Sequence, residues 1–142
     1  MHSVRQILME KGSEVWAVRP DDSVFDAVRR MAELKVGAMM VMTENRLDGM
    51  FSERDYARKV ILEGRSSRET PVSDIMSSPP ITIHLQATAD EALALMTRKR
   101  IRHLPVVENG EVVGLVSIGD LVNAKIEDQQ RLIEQLEHYV SG

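Results

Sequence analysis

Gly49-Met-Phe-Ser52-Glu-Arg-Asp55 recurs 65 residues later as Gly114-Leu-Val-Ser117-Ile-Gly-Asp120. Both stretches place an apolar pair before Ser-x-x-Asp, so each ends a strand with a hydroxyl and a carboxylate where a helix would begin. The register extends well beyond the motif. Ser23 falls on Thr88, Ala27 on Ala92 and Met31 on Met96, and Lys35-Val-Gly-Ala-Met-Met-Val41 falls on Arg100-Ile-Arg-His-Leu-Pro-Val106. Upstream, Val4-x-x-Ile7 answers Val72-x-x-Ile75 at a spacing of 68, which puts three extra residues of the first copy within Lys11-Gly-Ser-Glu14. The repeat predicts one unit over 1–64 and another over 69–126, joined by Gly64-Arg-Ser-Ser-Arg68, with 127–142 as a helical extension.

Each copy carries the same order of periodicities. Val24, Ala27, Val28 and Met31 share one helical face after Ser23, and Ala89, Ala92, Leu93 and Met96 do so after Thr88. Ser23-x-x-Asp26 and Thr88-x-x-Glu91 are capping-box patterns that satisfy first-turn amides. Two short apolar runs follow each helix, 39–42 and 47–51 around Thr43-Glu-Asn-Arg46, then 104–107 and 112–116 around Glu108-Asn-Gly-Glu111. Asn-Gly is a strong signal for a two-residue hairpin turn. With short strands at 15–18 and 81–84, each unit reads β-α-β-β-α, an α+β fold. The last helix is expected from Ser117 to about Tyr139, with Val122, Ile126, Ile133, Leu136 and Val140 as an apolar stripe whose later part calls for a partner chain.

The 142 residues, 43% of them apolar, suffice for two small halves sharing a core. With 28% charged residues and a net charge of −4, the chain is neither disordered by composition nor basic overall, which argues against nucleic acid as a partner. It has no cysteine, which excludes disulfides, thiolate metal sites and cysteine nucleophiles. The start lacks a signal-peptide core and no apolar run approaches a membrane span, so a soluble, cytoplasmic protein is expected. The four histidines, at 2, 84, 103 and 138, show no spacing suggestive of a metal site, and none is expected. Phosphate-binding glycine loops, His-Glu-x-x-His and Gly-x-Ser-x-Gly are absent, so neither an enzyme nor a catalytic cofactor is anticipated.

Two such units, with Arg102-His-Leu-Pro-Val-Val107 opening the second hairpin, resemble the tandem cystathionine beta-synthase (CBS) domain pair over nearly the entire chain. The resemblance implies two pseudo-twofold related units forming a Bateman module, whose crevices between the units bind adenosine nucleotides (AMP, ADP, ATP, or NAD or NADH). It also implies a homodimer arranged as a disc of four units, signalling nucleotide occupancy to a regulated protein that the sequence does not name.

Within that frame the residues acquire roles. An ionised carboxylate only accepts hydrogen bonds and can receive both hydroxyls of a ribose, which suits Asp55 and Asp120 to a cis-diol. Ser52 and Ser117 can donate to phosphate oxygens beside first-turn amides. Yet Ser-x-x-Asp is equally a plain capping box, and one role does not exclude the other. Phosphate also calls for cations, and the family places residues such as Arg102 and His103 over the nucleotide, although they equally suit a solvated rim. The first copy has Gly37 and Ala38 there, so the two sites are unequal, with Arg54, Arg58 and Lys59 as substitutes or as a solvated salt-bridge face. By position in the family, Val15, Trp16, Ala17, Ala38, Met39, Met40, Ile81, Thr82, Ile83, Leu104 and Pro105 border the base. Most of these types are as suited to a core, and Trp16 to a lobe junction or dimer contact. The alternative function is structural homodimerisation without a nucleotide.

Overall fold

A computed structural model describes residues 1–141; residue 142, the last of the anticipated extension, lies outside the described residues. In chain order the elements are α1 (Val4–Lys11), β1 (Ala17–Val18), α2 (Val24–Leu34), β2 (Ala38–Thr43), β3 (Arg46–Ser52), α3 (Glu53–Tyr56), α4 (Ala89–Lys99), β4 (His103–Glu108), β5 (Glu111–Ser117) and α5 (Ile118–Ser141). A π-helical turn, Ala57–Ile61, continues α3, and a 3-10 turn spans Val72–Asp74.

The chain divides into two compact units: Val15–Ile81, and Met1–Glu14 together with the chain from Thr82 onward. The repeat in sequence and the packed unit therefore do not coincide. The boundaries 1–64 and 69–126 follow the repeat, whereas packing exchanges the leading segments. The turn containing Val72 and Ile75 joins the core of the first hairpin, and α1, with Val4 and Ile7, belongs with the second.

In the Val15–Ile81 unit, β1 runs parallel to β2, and β2 runs antiparallel to β3, in the order β1-β2-β3. A parallel pair needs a crossover, and α2 supplies it. Its buried face, Val24, Ala27 and Met31, packs with Met39, Val41 and Phe51 from the hairpin and with Val60, Val72 and Ile75. The other unit repeats the hairpin as β4 and β5, with Ala89, Ala92 and Met96 of α4, Val4, Ile7 and Leu8 of α1, and Leu121 and Ala124 of α5 all buried.

Local conformations repeat as closely as the residues. Ser23 Oγ accepts from the Asp26 amide at 3.1 Å and Thr88 Oγ1 from the Glu91 amide at 3.1 Å, starting α2 and α4. Both helices end on a left-handed residue that bears a Cβ, Lys35 at φ 58° and Arg100 at φ 56°, a conformation uncommon outside glycine. The second hairpin turns through Asn109 and Gly110 at φ 53° and 80°, as its Asn-Gly pair requires.

The glycine that opens each motif has a tertiary cause. A Cβ at Gly49 would lie 2.6 Å from the Ser77 carbonyl oxygen, and one at Gly114 would lie 2.8 Å from both Leu8 methyl groups. Both glycines sit where an exchanged segment crosses a hairpin. Ser77 also bridges Met50 through two backbone hydrogen bonds of 3.0 and 2.8 Å.

Three expected elements are shorter or different. The strand at 81–84 is a single parallel bridge, Ile83 to Val106, because the next bond of a parallel ladder would need an N–H from Pro105 to the Ile81 carbonyl, and proline has none. The strand at 15–18 pairs only at Ala17 and Val18. The helix from 52 to 62 is regular for one turn before widening into its π-helical part. In α5, Val122, Ile126, Ile133, Leu136 and Val140 are all exposed, as are Leu132 and Tyr139. Among the described residues no helix is long and apolar enough to cross a membrane.

Candidate functional site

Each Ser-x-x-Asp lies where a hairpin's second strand passes into a helix. Backbone pairing sets it opposite the start of the first strand: Ser52 faces Ala38, and Ser117 faces His103. The following amide is bound from the same edge, Glu53 N–H to the Gly37 carbonyl at 3.0 Å and Ile118 N–H to the Arg102 carbonyl at 2.9 Å. The structure thus gathers Arg102, His103, Ser117 and Asp120 at one end of a hairpin. In the other unit the same edge holds Gly37, Ala38, Ser52 and Asp55.

The carboxylates are already engaged. Asp55 Oδ2 accepts from the Ser52 amide at 2.9 Å and from Ser52 Oγ at 3.0 Å, while the Asp55 amide donates to Ser52 Oγ at 3.2 Å. That is a complete capping box. Its second oxygen, Oδ1, meets Lys59 Nζ at 3.2 Å, one helical turn on, and Ser77 Oγ at 3.3 Å. In the second copy Asp120 Oδ2 accepts from the Ser117 amide at 2.8 Å and the Asp120 amide donates to Ser117 Oγ at 3.2 Å. Lys11 Nζ, from α1, donates to Asp120 Oδ2 at 2.7 Å and to the Leu115 carbonyl at 2.9 Å.

Capping and a lysine partner therefore coexist in both copies, but the lysine arrives by different routes. Lys59 belongs to the local helix, at i+4 from its aspartate; Lys11 comes from the exchanged arm. Burial pushes the Asp120 carboxyl up, yet the hydrogen bond from Lys11, the Ser117 amide and the lysine charge outweigh it and hold it below the usual carboxylate range. Asp120 thus stays ionised at neutral pH and acts purely as an acceptor. The expectation that first-turn amides stand open to phosphate meets a limit. The amides of Glu53, Asp55, Ile118 and Asp120 are taken up inside the fold.

A family model for the CBS domain matches residues 4–62 and 72–127. The chain belongs to the CBS-domain family. Over 136 residues this CBS pair is 40% identical to the CBS domain-containing protein CBSX3, mitochondrial, of Arabidopsis thaliana, covering 92% of this chain and 66% of that protein, slightly under two thirds of its length. A solved CBS-domain structure from Burkholderia ambifaria MC40-6 is 44% identical with a TM-score of 0.87, over 90% of this chain and 96% of that one. A CBS domain protein from Pyrobaculum aerophilum, complexed with AMP, is 26% identical with a TM-score of 0.75, over 84% of this chain and 89% of that one.

The remaining expected residues of the CBS pair divide by burial. Arg54, Arg58 and Arg102 are exposed, His103 and Lys59 half-buried. Met39, Met40 and Leu104 are fully buried, and Ala38, Ile83 and Pro105 are buried too, placing these six among the core side chains of their own units. Val15, Ala17 and Ile81 are half-buried, and Trp16 and Thr82 exposed. Lys11 and Ser77 were missed by sequence reasoning. Lys11 lies in the stretch where the copies differ in length, so alignment of the repeat gave it no counterpart, and Ser77 reaches Asp55 only through the exchange of segments.

Proposed function

We propose that this CBS pair is a regulatory module that binds an adenosine nucleotide at its Ser-x-x-Asp motifs and passes occupancy to a partner protein as a change in conformation. The observation that carries this is the recurrence, in both units, of a buried or half-buried aspartate with a serine and a lysine at the edge of a hairpin. An acceptor-only carboxylate suits a ribose diol, and the ammonium beside it suits a phosphate. The AMP bound by the Pyrobaculum relative supports an adenosine ligand for the fold. AMP, ADP and ATP lead as ligands; NAD or NADH would need one site to accept a second nucleotide half. Asp55, Ser52, Lys59, Arg54 and Arg58 would form one site, and Asp120, Ser117, Arg102, His103 and Lys11 the other. Val15, Trp16, Ala17, Ile81 and Thr82 keep the surface that a base could cover. No step of catalysis enters this reading, and we place the protein in the cytoplasm.

A micromolar complex needs about −8 kcal/mol. Charge-assisted hydrogen bonds contribute roughly 1.5–3 kcal/mol each, so a diol clamp, one phosphate contact and a partly covered base reach that range. Calorimetric titration of nucleotide-stripped protein with AMP, ADP, ATP, NAD and NADH tests it. Asp55→Ala and Asp120→Ala should each abolish one binding event with circular dichroism unchanged, and two silent substitutions would remove the site assignment.

The exposed stripe on α5 favours a second reading, a homodimerisation module without a small ligand. A stable dimer that shows no heat and no change in melting temperature with any of these nucleotides would select it.

A further inference from the structure

His2, Glu10 and Glu127 lie far apart in sequence, yet each brings one ligand atom to within 4.8 Å of the others. His2 precedes α1, Glu10 is in its last turn and Glu127 lies midway along α5, all within one compact unit. The imidazole is buried at 3% exposure, whereas both glutamates are about half exposed. The histidine is fixed from several sides. Its amide donates to Asp128 Oδ2 at 2.9 Å, its carbonyl accepts from the Ala89 amide at 3.0 Å, and its Nδ1 lies 2.8 Å from Asp128 Oδ1.

The two ring nitrogens differ in kind. At 2.8 Å from a carboxylate, Nδ1 has the geometry of a good hydrogen-bond donor. Nε2 faces Glu10 Oε1 at 3.3 Å, at the long end of hydrogen bonding, and Glu127 Oε2 at 3.5 Å, beyond it. With the proton on Nδ1, the Nε2 lone pair and the two carboxylates repel one another unless a cation lies between them. Bonds of about 2.0–2.2 Å at tetrahedral angles put neighbouring ligand atoms roughly 3.3–3.6 Å apart. The Nε2–carboxylate separations match that edge. Three carboxylates surround one imidazole, and the Met1 amino group, 3.7 Å from Asp128, offsets only part of their charge.

We infer that His2 Nε2, Glu10 and Glu127 form a binding site for a divalent metal ion of the zinc class, with Asp128 orienting the histidine from behind. One imidazole nitrogen and two carboxylates leave a fourth position for water. The carboxylate on Nδ1 fixes the tautomer that presents Nε2 to the metal. The bound ion would tie α1 to α5, the arm that also delivers Lys11 to Asp120. This departs from the expectation of no metal because the spacing of positions 2, 10 and 127 carries no local signature.

The test uses the untagged full chain, freed of metal with a chelator, titrated with Co²⁺ followed by visible absorption and with Zn²⁺ by calorimetry. One equivalent of cobalt should give the intense visible bands of a four- or five-coordinate ion, which zinc then displaces. Glu10→Gln and Glu127→Gln alter half-exposed side chains, so the fold should survive, as circular dichroism would check. Each should weaken binding at least about tenfold, and Asp128→Asn about 10–100-fold. The inference is overturned by an absence of binding, or by unchanged affinity in the glutamine variants, which would place the ion away from these residues.

Discussion

Gly114→Ala probes the exchange of segments on which the second site depends, because its new methyl group would meet α1 and not a neighbour in its own repeat. The added Cβ would lie 2.8 Å from both Leu8 methyls, about an ångström inside ordinary carbon–carbon contact. The obstacle is the end of a flexible side chain, so Leu8 and α1 can yield at an overpacking cost of about 1–3 kcal/mol. Leu8→Ala alone, at a site only 6% exposed, should cost about 2–5 kcal/mol by leaving a cavity. Combined, the methyl at 114 enters space that the leucine vacates. The double variant should then be more stable than the sum of the two losses predicts, by roughly 1–2 kcal/mol. Urea denaturation of the four proteins, followed by helical circular dichroism and with equal m-values required, reads this coupling directly. Additive losses would refute the packing of α1 on the second hairpin. Gly49→Ala provides the contrast. Its Cβ meets a backbone oxygen that cannot swing aside, so the loss should be at the top of the overpacking range or beyond, and truncating a nearby side chain such as Met76 should not restore it.

Other outcomes follow from the same contacts. Lys11→Met should weaken AMP at the Asp120 site about tenfold while leaving adenosine unchanged, since the ammonium is assigned to phosphate and not to ribose; equal losses for both ligands in calorimetry would assign it to the fold alone. The Asp120 carboxyl titrates lower in the folded state than in the unfolded chain, so its stabilising contribution is complete above about pH 4 and fades as pH falls through the folded value. Lys11→Met should flatten that part of the stability profile, by no more than about 1 kcal/mol because the pair is partly solvated; an unchanged acid limb in urea titrations would contradict it. Ile133→Glu with Leu136→Glu should convert a dimer to monomer in light scattering with no loss of helicity, whereas a dimer that persists would place its interface away from this part of α5.

The repeat made the fold legible because each element of a CBS unit has a local cause. The 3.6-residue spacing of Val24, Ala27 and Met31 needs only a helix with one buried face, and Asn109-Gly110 needs only a tight turn. Ser52-Glu-Arg-Asp55 was readable as a cap and as a ligand site from the same physical property, an acceptor placed beside helix amides. Sequence alone thus determined the family, the helix-hairpin-helix order within each unit and the aspartates around which a site is proposed. It did not show α1 as a helix, and the strand it placed at 81–84 is a single bridge. Tertiary structure decided which copy of Val-x-x-Ile packs on which hairpin. Both copies present the same apolar pair, and nothing in that pattern distinguishes its own hairpin from the other's. That exchange explains the glycine that opens each motif, supplies Ser77 to Asp55 and Lys11 to Asp120, and closes the carboxylates of Glu10 and Glu127 around His2. Contacts between residues a hundred positions apart depend on where the chain crosses itself, and no local spacing encodes that crossing.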